Sequence, residues 1–159
     1  MPKQRISSVD IRYLVRELRE SCLGLRLSNL YDVTPKIYML KFAKPDHKEF
    51  VIVESGVRIH TTGFMRAKPT LPSAFTLKLR KAIRTWRLEA VDQVGVDRIV
   101  DFTFGRDETA HHLIFEFYAK GNIILTDHEY TIISLLRTHK QDAESLFAVR
   151  EHYPIERAV

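Results

Sequence analysis

The stretch that decides the fold is LRLSNLYDVTPKIYMLKFAKPDHKEFVIVESGVRIH, residues 25 to 60. Four short runs within it have strand character: Leu25 to Tyr31, Ile37 to Phe42, Phe50 to Glu54 and Val57 to His60. Thr34-Pro35, Lys44-Pro45-Asp46 and Ser55-Gly56 separate them, each placing proline or glycine where the backbone must reverse. Strands joined by connections this short pair antiparallel, because a parallel neighbour needs a long crossover. The stretch is therefore expected to form an antiparallel meander.

Upstream of it, Ile11, Leu14, Val15, Leu18 and Cys22 recur at helical spacing, with Arg12, Arg16, Arg19 and Glu20 largely off that stripe. A helix is expected from about Ser8 to Cys22, stopped by Gly24. Its start, Ser7-Ser8-Val9-Asp10, resembles a capping box with aspartate in the usual glutamate slot, which gives Asp10 a structural explanation. Downstream, Ser73 after Pro72 marks the N-cap of a second helix. That helix is expected to carry Phe75, Leu79, Ala82, Ile83 and Trp86 on one face and Arg80, Lys81, Arg84 and Arg87 on the opposite arc.

Further strand-like runs follow at Ala90 to Val94, Arg98 to Phe104, His112 to Tyr118, Asn122 to Leu125 and Thr131 to Leu136. Helix, strands, helix, strands is not the regular alternation of a parallel sheet. The expected class is α+β, with two antiparallel sheets packed as a β-sandwich and flanked by helices. A short helix or extension is expected from Ala148 to Pro154. With 159 residues and no linker or repeat, one domain, 1–159, is expected, as a fragment of a longer protein.

Apolar residues make up 45% and charged residues 28%, a balance that excludes the disordered regime. No apolar run approaches the ~18 residues of a membrane span, so no membrane association is expected. The single cysteine, Cys22, permits no disulfide within the chain and reads as a small buried hydrophobe. With no secretory signal expected, a cytoplasmic location follows.

Charge is distributed unevenly. Between Glu54 and Glu89 there is no acidic residue, while Arg58, Arg66, Lys68, Lys78, Arg80, Lys81, Arg84 and Arg87 are basic. The net charge is +5, so the remainder of the chain is net acidic. A one-signed segment implies a local positive surface, suited to phosphate-bearing partners, and Arg80, Lys81, Arg84 and Arg87 are the candidate electrostatic patch for nucleic acid. The alternative is a solvated helix face.

Motifs for catalysis are missing. The six glycines are scattered singly rather than set in a phosphate loop, and the histidines show no ligand spacing, so neither a cofactor nor a metal is expected. No nucleophile elbow is present. Asp92, Asp97, Asp101, Asp107 and Glu108 fall around expected turns, where such residues are common for conformational reasons. Arg98 is harder to explain, because strand alternation puts it on the apolar side with Val100, Phe102 and Phe104. Two readings stay open: a guanidinium that snorkels into water, or a forked donor held for carboxylate or phosphate.

Across nearly its whole length the chain resembles the N-terminal domain of the NFACT family, which includes bacterial fibronectin-binding-protein-A-like relatives. The resemblance rests on Ile6-Ser7-Ser8-Val9-Asp10-Ile11, Leu27-Ser28-Asn29-Leu30-Tyr31-Asp32, Glu54-Ser55-Gly56-Val57-Arg58-Ile59-His60-Thr61-Thr62, Pro72-Ser73-Ala74-Phe75 leading to Leu79-Arg80-Lys81, Val96-Asp97-Arg98-Ile99-Val100 and Gly121-Asn122-Ile123-Ile124-Leu125-Thr126-Asp127. It implies a fold similar to the N-terminal domain of formamidopyrimidine-DNA glycosylases. It also implies a role in ribosome-associated quality control: binding large ribosomal subunits obstructed by peptidyl-tRNA, supporting the Listerin ubiquitin ligase, and recruiting charged tRNA for C-terminal alanine and threonine tailing without mRNA.

The family residues required for tailing match Asp10, Asp97 and Arg98, which the resemblance makes the tRNA-binding set. Arg98 suits a phosphate or base edge, and the aspartates suit a ribose hydroxyl or an exposed base. A non-catalytic module is expected. The rival is a glycosylase-like enzyme using the amine of Pro2 as nucleophile, but Lys3 follows where that pattern has an acidic residue.

Overall fold

The computed structural model describes residues 7–62, 71–94, 98–117, 121–136, 139–140, 146–147 and 149–155. Pro2, Arg66, Lys68 and Asp97 lie outside them. Helix α1 spans Ser8–Cys22, as expected. Its capping box is complete: Asp10 N donates to Ser7 Oγ at 3.1 Å and Ser7 N to Asp10 Oδ2 at 3.3 Å.

The meander consists of β1 (Arg26–Thr34), β2 (Ile37–Lys44), β3 (His47–Glu54) and β4 (Arg58–Thr62), antiparallel and in sequential order. These strands are longer than the apolar runs that announce them. Polar ends such as Lys44 and His47 are direct cross-strand partners, so ladder pairing carries the strands to the edge of each turn.

Helix α2 spans Ala74–Ile83, capped by the Ser73 side chain, which accepts from Thr76 N at 3.2 Å. Here the expectation for Trp86 needs correction. At Arg84 the chain leaves the helix with extended dihedrals, and Thr85 takes a left-handed φ of 77°. The backbone then ties to β1, Thr85 N donating to Leu27 O at 2.7 Å and Leu27 N to Trp86 O at 3.0 Å. Trp86 is thus beyond the helix and 38% exposed. Arg84 and Arg87 are likewise off the helix, so the four cations do not share one helical arc.

The second sheet runs β5 (Leu88–Gln93), β6 (Ile99–Phe104), β7 (His111–Glu116), β8 (Asn122–Thr126) and β9 (Ile132–Leu135), again antiparallel and sequential. A short pair, β10 (His139–Lys140) with β11 (Leu146–Phe147), was not expected from the sequence. The class is therefore α+β, with four- and five-stranded antiparallel sheets and two helices.

Both sheets and both helices share one core. Phe42 of β2 stacks on Phe104 of β6 with centroids 6.2 Å apart, and Ile11, Leu18, Leu79 and Ile83 join from the helices. The other side of the five-stranded sheet has its own apolar cluster of Ile99, Ile114, Ile124, Ile132 and Tyr153. Residues 149–155 cover it as an extension rather than a helix. Ile132 N donates to Glu151 O at 2.8 Å, and Tyr153 N to Tyr130 O at 2.7 Å. With both faces covered, β6, β7 and β8 are buried nearly throughout.

Candidate nucleic-acid interface

Helix α1 runs antiparallel to β5. At its C-terminal end Gly24 N donates to Leu88 O at 2.8 Å, and one turn earlier Arg19 reaches further along the strand, its Nε to Val91 O and its Nη2 to Asp92 Oδ1, both at 2.6 Å. The helix N-terminus therefore points toward the end of the sheet where β5 passes into β6. Asp10 is exposed there, one carboxylate oxygen holding the cap.

Arg98 stands at the entry to β6 and is half-buried. Its carbonyl accepts from Phe117 N at 2.9 Å, and Val94 N donates to Ile99 O at 3.0 Å, so backbone bonds fix the residue on both sides. Val100, Phe102 and Phe104 do enter the main core. Asp97, the third member of the expected set, lies outside the described residues.

The basic segment does more structural work than the sequence implied. β1 is an edge strand. Arg80 Nε donates to Leu30 O at 2.9 Å and Arg84 Nε to Ser28 O at 3.2 Å. The spacing fits, since four residues of helix rise about 6 Å and two of strand about 6.6 Å. These arginines occupy an edge that would otherwise offer backbone acceptors to another chain. The Arg80 guanidinium also lies 5.7 Å from the centroid of the Tyr31 ring. Lys81 and Arg87 are exposed.

Sequence reasoning missed a buried polar cluster under the C-terminal extension. Asp101 is not a turn residue but lies mid-strand in β6, 5% exposed. Its Oδ1 is 2.9 Å from His112 Nδ1, and its Oδ2 accepts from Tyr130 OH at 2.6 Å. The Tyr130 ring stacks on His112 at 4.0 Å, and burial, followed by the bond to Asp101, pushes the phenol pKa up. Nearby, Tyr153 OH donates to Glu116 Oε2 at 2.7 Å. The available signal was parity: Asp101 and His112 share the face of Ile99 and Ile114, opposite the phenylalanines.

Among the described residues no group of three histidine, cysteine or carboxylate side chains is arranged to hold a metal ion. No helix among them is long and apolar enough to cross a membrane.

Comparison with known proteins places this architecture. The family model described as "NFACT N-terminal and middle domains" matches residues 7–154. The mouse ribosome quality control complex subunit NEMF is 51% identical over 157 residues, covering 98% of this chain and 15% of that protein. The fission yeast (Schizosaccharomyces pombe) ribosome quality control complex subunit 2 is 42% identical over 161 residues, covering 98% of this chain and 16% of that protein. The chain thus spans about a sixth of the length of these relatives. In fold it is similar to the N-terminal domain of the fibronectin-binding protein PavA of Streptococcus pneumoniae, with a TM-score of 0.80 at 22% identity over 93% of this chain and 63% of that one. The match over most of the sequence, with two relatives above 40% identity, means that the chain belongs to the NFACT family.

Proposed function

We propose that this chain is a tRNA-binding module of a cytoplasmic ribosome quality-control factor, itself without catalytic activity, in which Asp10, Asp97 and Arg98 form the recognition patch. Its whole protein binds obstructed large ribosomal subunits, supports Listerin and recruits charged tRNA for alanine and threonine tailing. Peptide transfer belongs to the ribosome. The likeness to the glycosylase N-terminal domain is part of the same proposal and transfers no chemistry.

The observation that carries this reading is the antiparallel course of α1 beside β5, which directs exposed Asp10 toward the strand junction that holds Arg98. Membership of a family whose relatives are named as ribosome quality control subunits supplies the biological setting. A guanidinium on a backbone-anchored residue offers paired donors to phosphate or a base edge, and the Asp10 carboxylate accepts from a ribose hydroxyl.

The test is tRNA binding by fluorescence anisotropy alongside thermal denaturation. Arg98→Ala is expected to weaken binding about tenfold with little change in melting temperature. Asp10→Asn keeps a capping acceptor while removing the charge, and is expected to weaken binding at unchanged stability. Undiminished tRNA affinity in both variants would refute the assignment.

A further inference from the structure

At the opposite end of β5 lie three arginines, Arg26, Arg87 and Arg106, and one carboxylate, Glu89. Arg26 and Arg87 are direct partners in an isolated antiparallel bridge. Residues so paired project from the same side, and like charges in that position repel. Arg106 Nε lies 3.1 Å from Glu89 Oε2 and Arg87 Nε 3.8 Å from Glu89 Oε1, so one acidic group serves two cations. Arg26 donates from Nη1 to the Thr85 carbonyl at 3.0 Å. All three arginines are exposed, the Arg106 side chain by 71%.

Trp86, the chain's only tryptophan, precedes Arg87. Its six-membered ring packs on the backbone of Gly105, where an added Cβ would sit 3.1 Å from Cε3. The indole is therefore backed by main chain on one side while part of its surface meets solvent. The like-charge pair works against the fold.

We infer that Arg26, Arg87 and Arg106, with Trp86, form a second RNA contact, the arginines binding backbone phosphates and the indole stacking on an unpaired base. The inference rests on the RNA-binding reading above and adds a site to it. Planar forked donors match phosphate oxygens, and an exposed aromatic face takes any base. An acidic peptide would satisfy the arginines but leave the indole without a partner. The six residues of β5 separate this cluster from Arg98 by about 20 Å, so one folded RNA can engage both ends of the strand.

The experiment titrates the 159-residue chain with a fluorescein-labelled tRNA and a labelled oligouridylate, reading anisotropy and Trp86 emission together. RNA is expected to quench Trp86, and to do so still in Arg98→Ala at saturating RNA. The double variant Arg26→Gln with Arg106→Gln is expected to lose about tenfold in affinity and to lower the slope of log K against log salt by about two, with its melting temperature unchanged or raised. RNA binding with unaltered Trp86 emission and an unchanged slope would overturn this inference while leaving the RNA-binding reading in place. A fall in melting temperature that accounts for the affinity loss would give the arginines to the fold instead. Competition by polyglutamate equal to that of RNA would reassign the cluster to an acidic protein, and no anisotropy change with either RNA would remove both readings.

Discussion

Gly121 joins the two sheets, and its replacement by alanine should break that joint. The residue immediately precedes β8 with φ of 76°, and its Cα approaches the turn between β3 and β4. An added Cβ would stand 2.2 Å from Gly56 N, 2.5 Å from Gly56 Cα and 2.7 Å from the Ser55 carbonyl carbon. All three are backbone atoms, so no side-chain rotamer relieves the overlap. The left-handed conformation alone costs alanine about 1 kcal/mol. Restoring ordinary contact would push the turn back by about 1 Å, against Ser55 N donating to Lys36 O at 2.8 Å and Val57 N to Glu54 O at 2.9 Å. Overpacking of this kind costs roughly 1–3 kcal/mol, giving about 2–4 kcal/mol in all. For a chain of this size that is a fall of about 4–16 °C in melting temperature. Thermal denaturation followed by Trp86 fluorescence and far-ultraviolet circular dichroism would measure it. A Gly121→Ala protein melting within about 1 °C of the parent would show that the turn and strand are not packed as described.

The other predictions concern the thiol and the edge strand. Burial, and secondarily the charge of Glu49, raise the Cys22 pKa from 9.0 to about 12, so the folded thiol stays protonated while the unfolded one ionises. Its contribution to stability is present below pH 9 and is lost as pH rises toward 12; the alkaline fall in melting temperature should be shallower in Cys22→Ala, and parallel slopes would refute this. Arg80→Met keeps the aliphatic stem but deletes the bond to Leu30, and should cost about 1–2 kcal/mol, or about 2–8 °C. Lys81→Met, at an exposed position, should stay within about 0.5 kcal/mol, and equal melting points for these two variants would deny Arg80 its edge role.

How much of this was legible in the sequence depended on whether one element determined the pattern. α1 and the meander were readable because caps, turn residues and periodicity all act within a few residues of the position they decide. The end of α2 was not. Apolar spacing continues through Trp86, yet β1 hydrogen bonds capture the chain from Thr85 onward, and that competition involves residues some 58 positions apart. β6 misled for a related reason. Its alternation is genuine, but the extension covers the second face, so Asp101 reads as a turn residue until Tyr130 and His112 are seen around it. Edge protection by Arg80 and Arg84 was invisible for the same cause: a cation on a helix looks solvated unless the strand beside it is known.

Asp10 and Arg98 show why a structural explanation and a binding role need not compete. The cap fixes the Asp10 side chain at the first turn of α1 through Ser7, while backbone bonds from Phe117 and Val94 anchor the junction that holds Arg98. A ligand that recognises such groups loses less by ordering them, because the cap already restricts the Asp10 rotamer and the Arg98 backbone is held in place. The Arg26–Arg87 pair is the opposite case: two like-charged residues are direct partners across a bridge, with Arg87 sharing the Glu89 carboxylate with Arg106 and Arg26 bonded to the Thr85 carbonyl. The two ends of β5 would therefore respond differently to removal of charge. Neutralising the anchored end should affect binding alone, whereas neutralising the repulsive end should weaken binding and relieve the fold together, and that difference in sign separates recognition groups from ordinary surface charge.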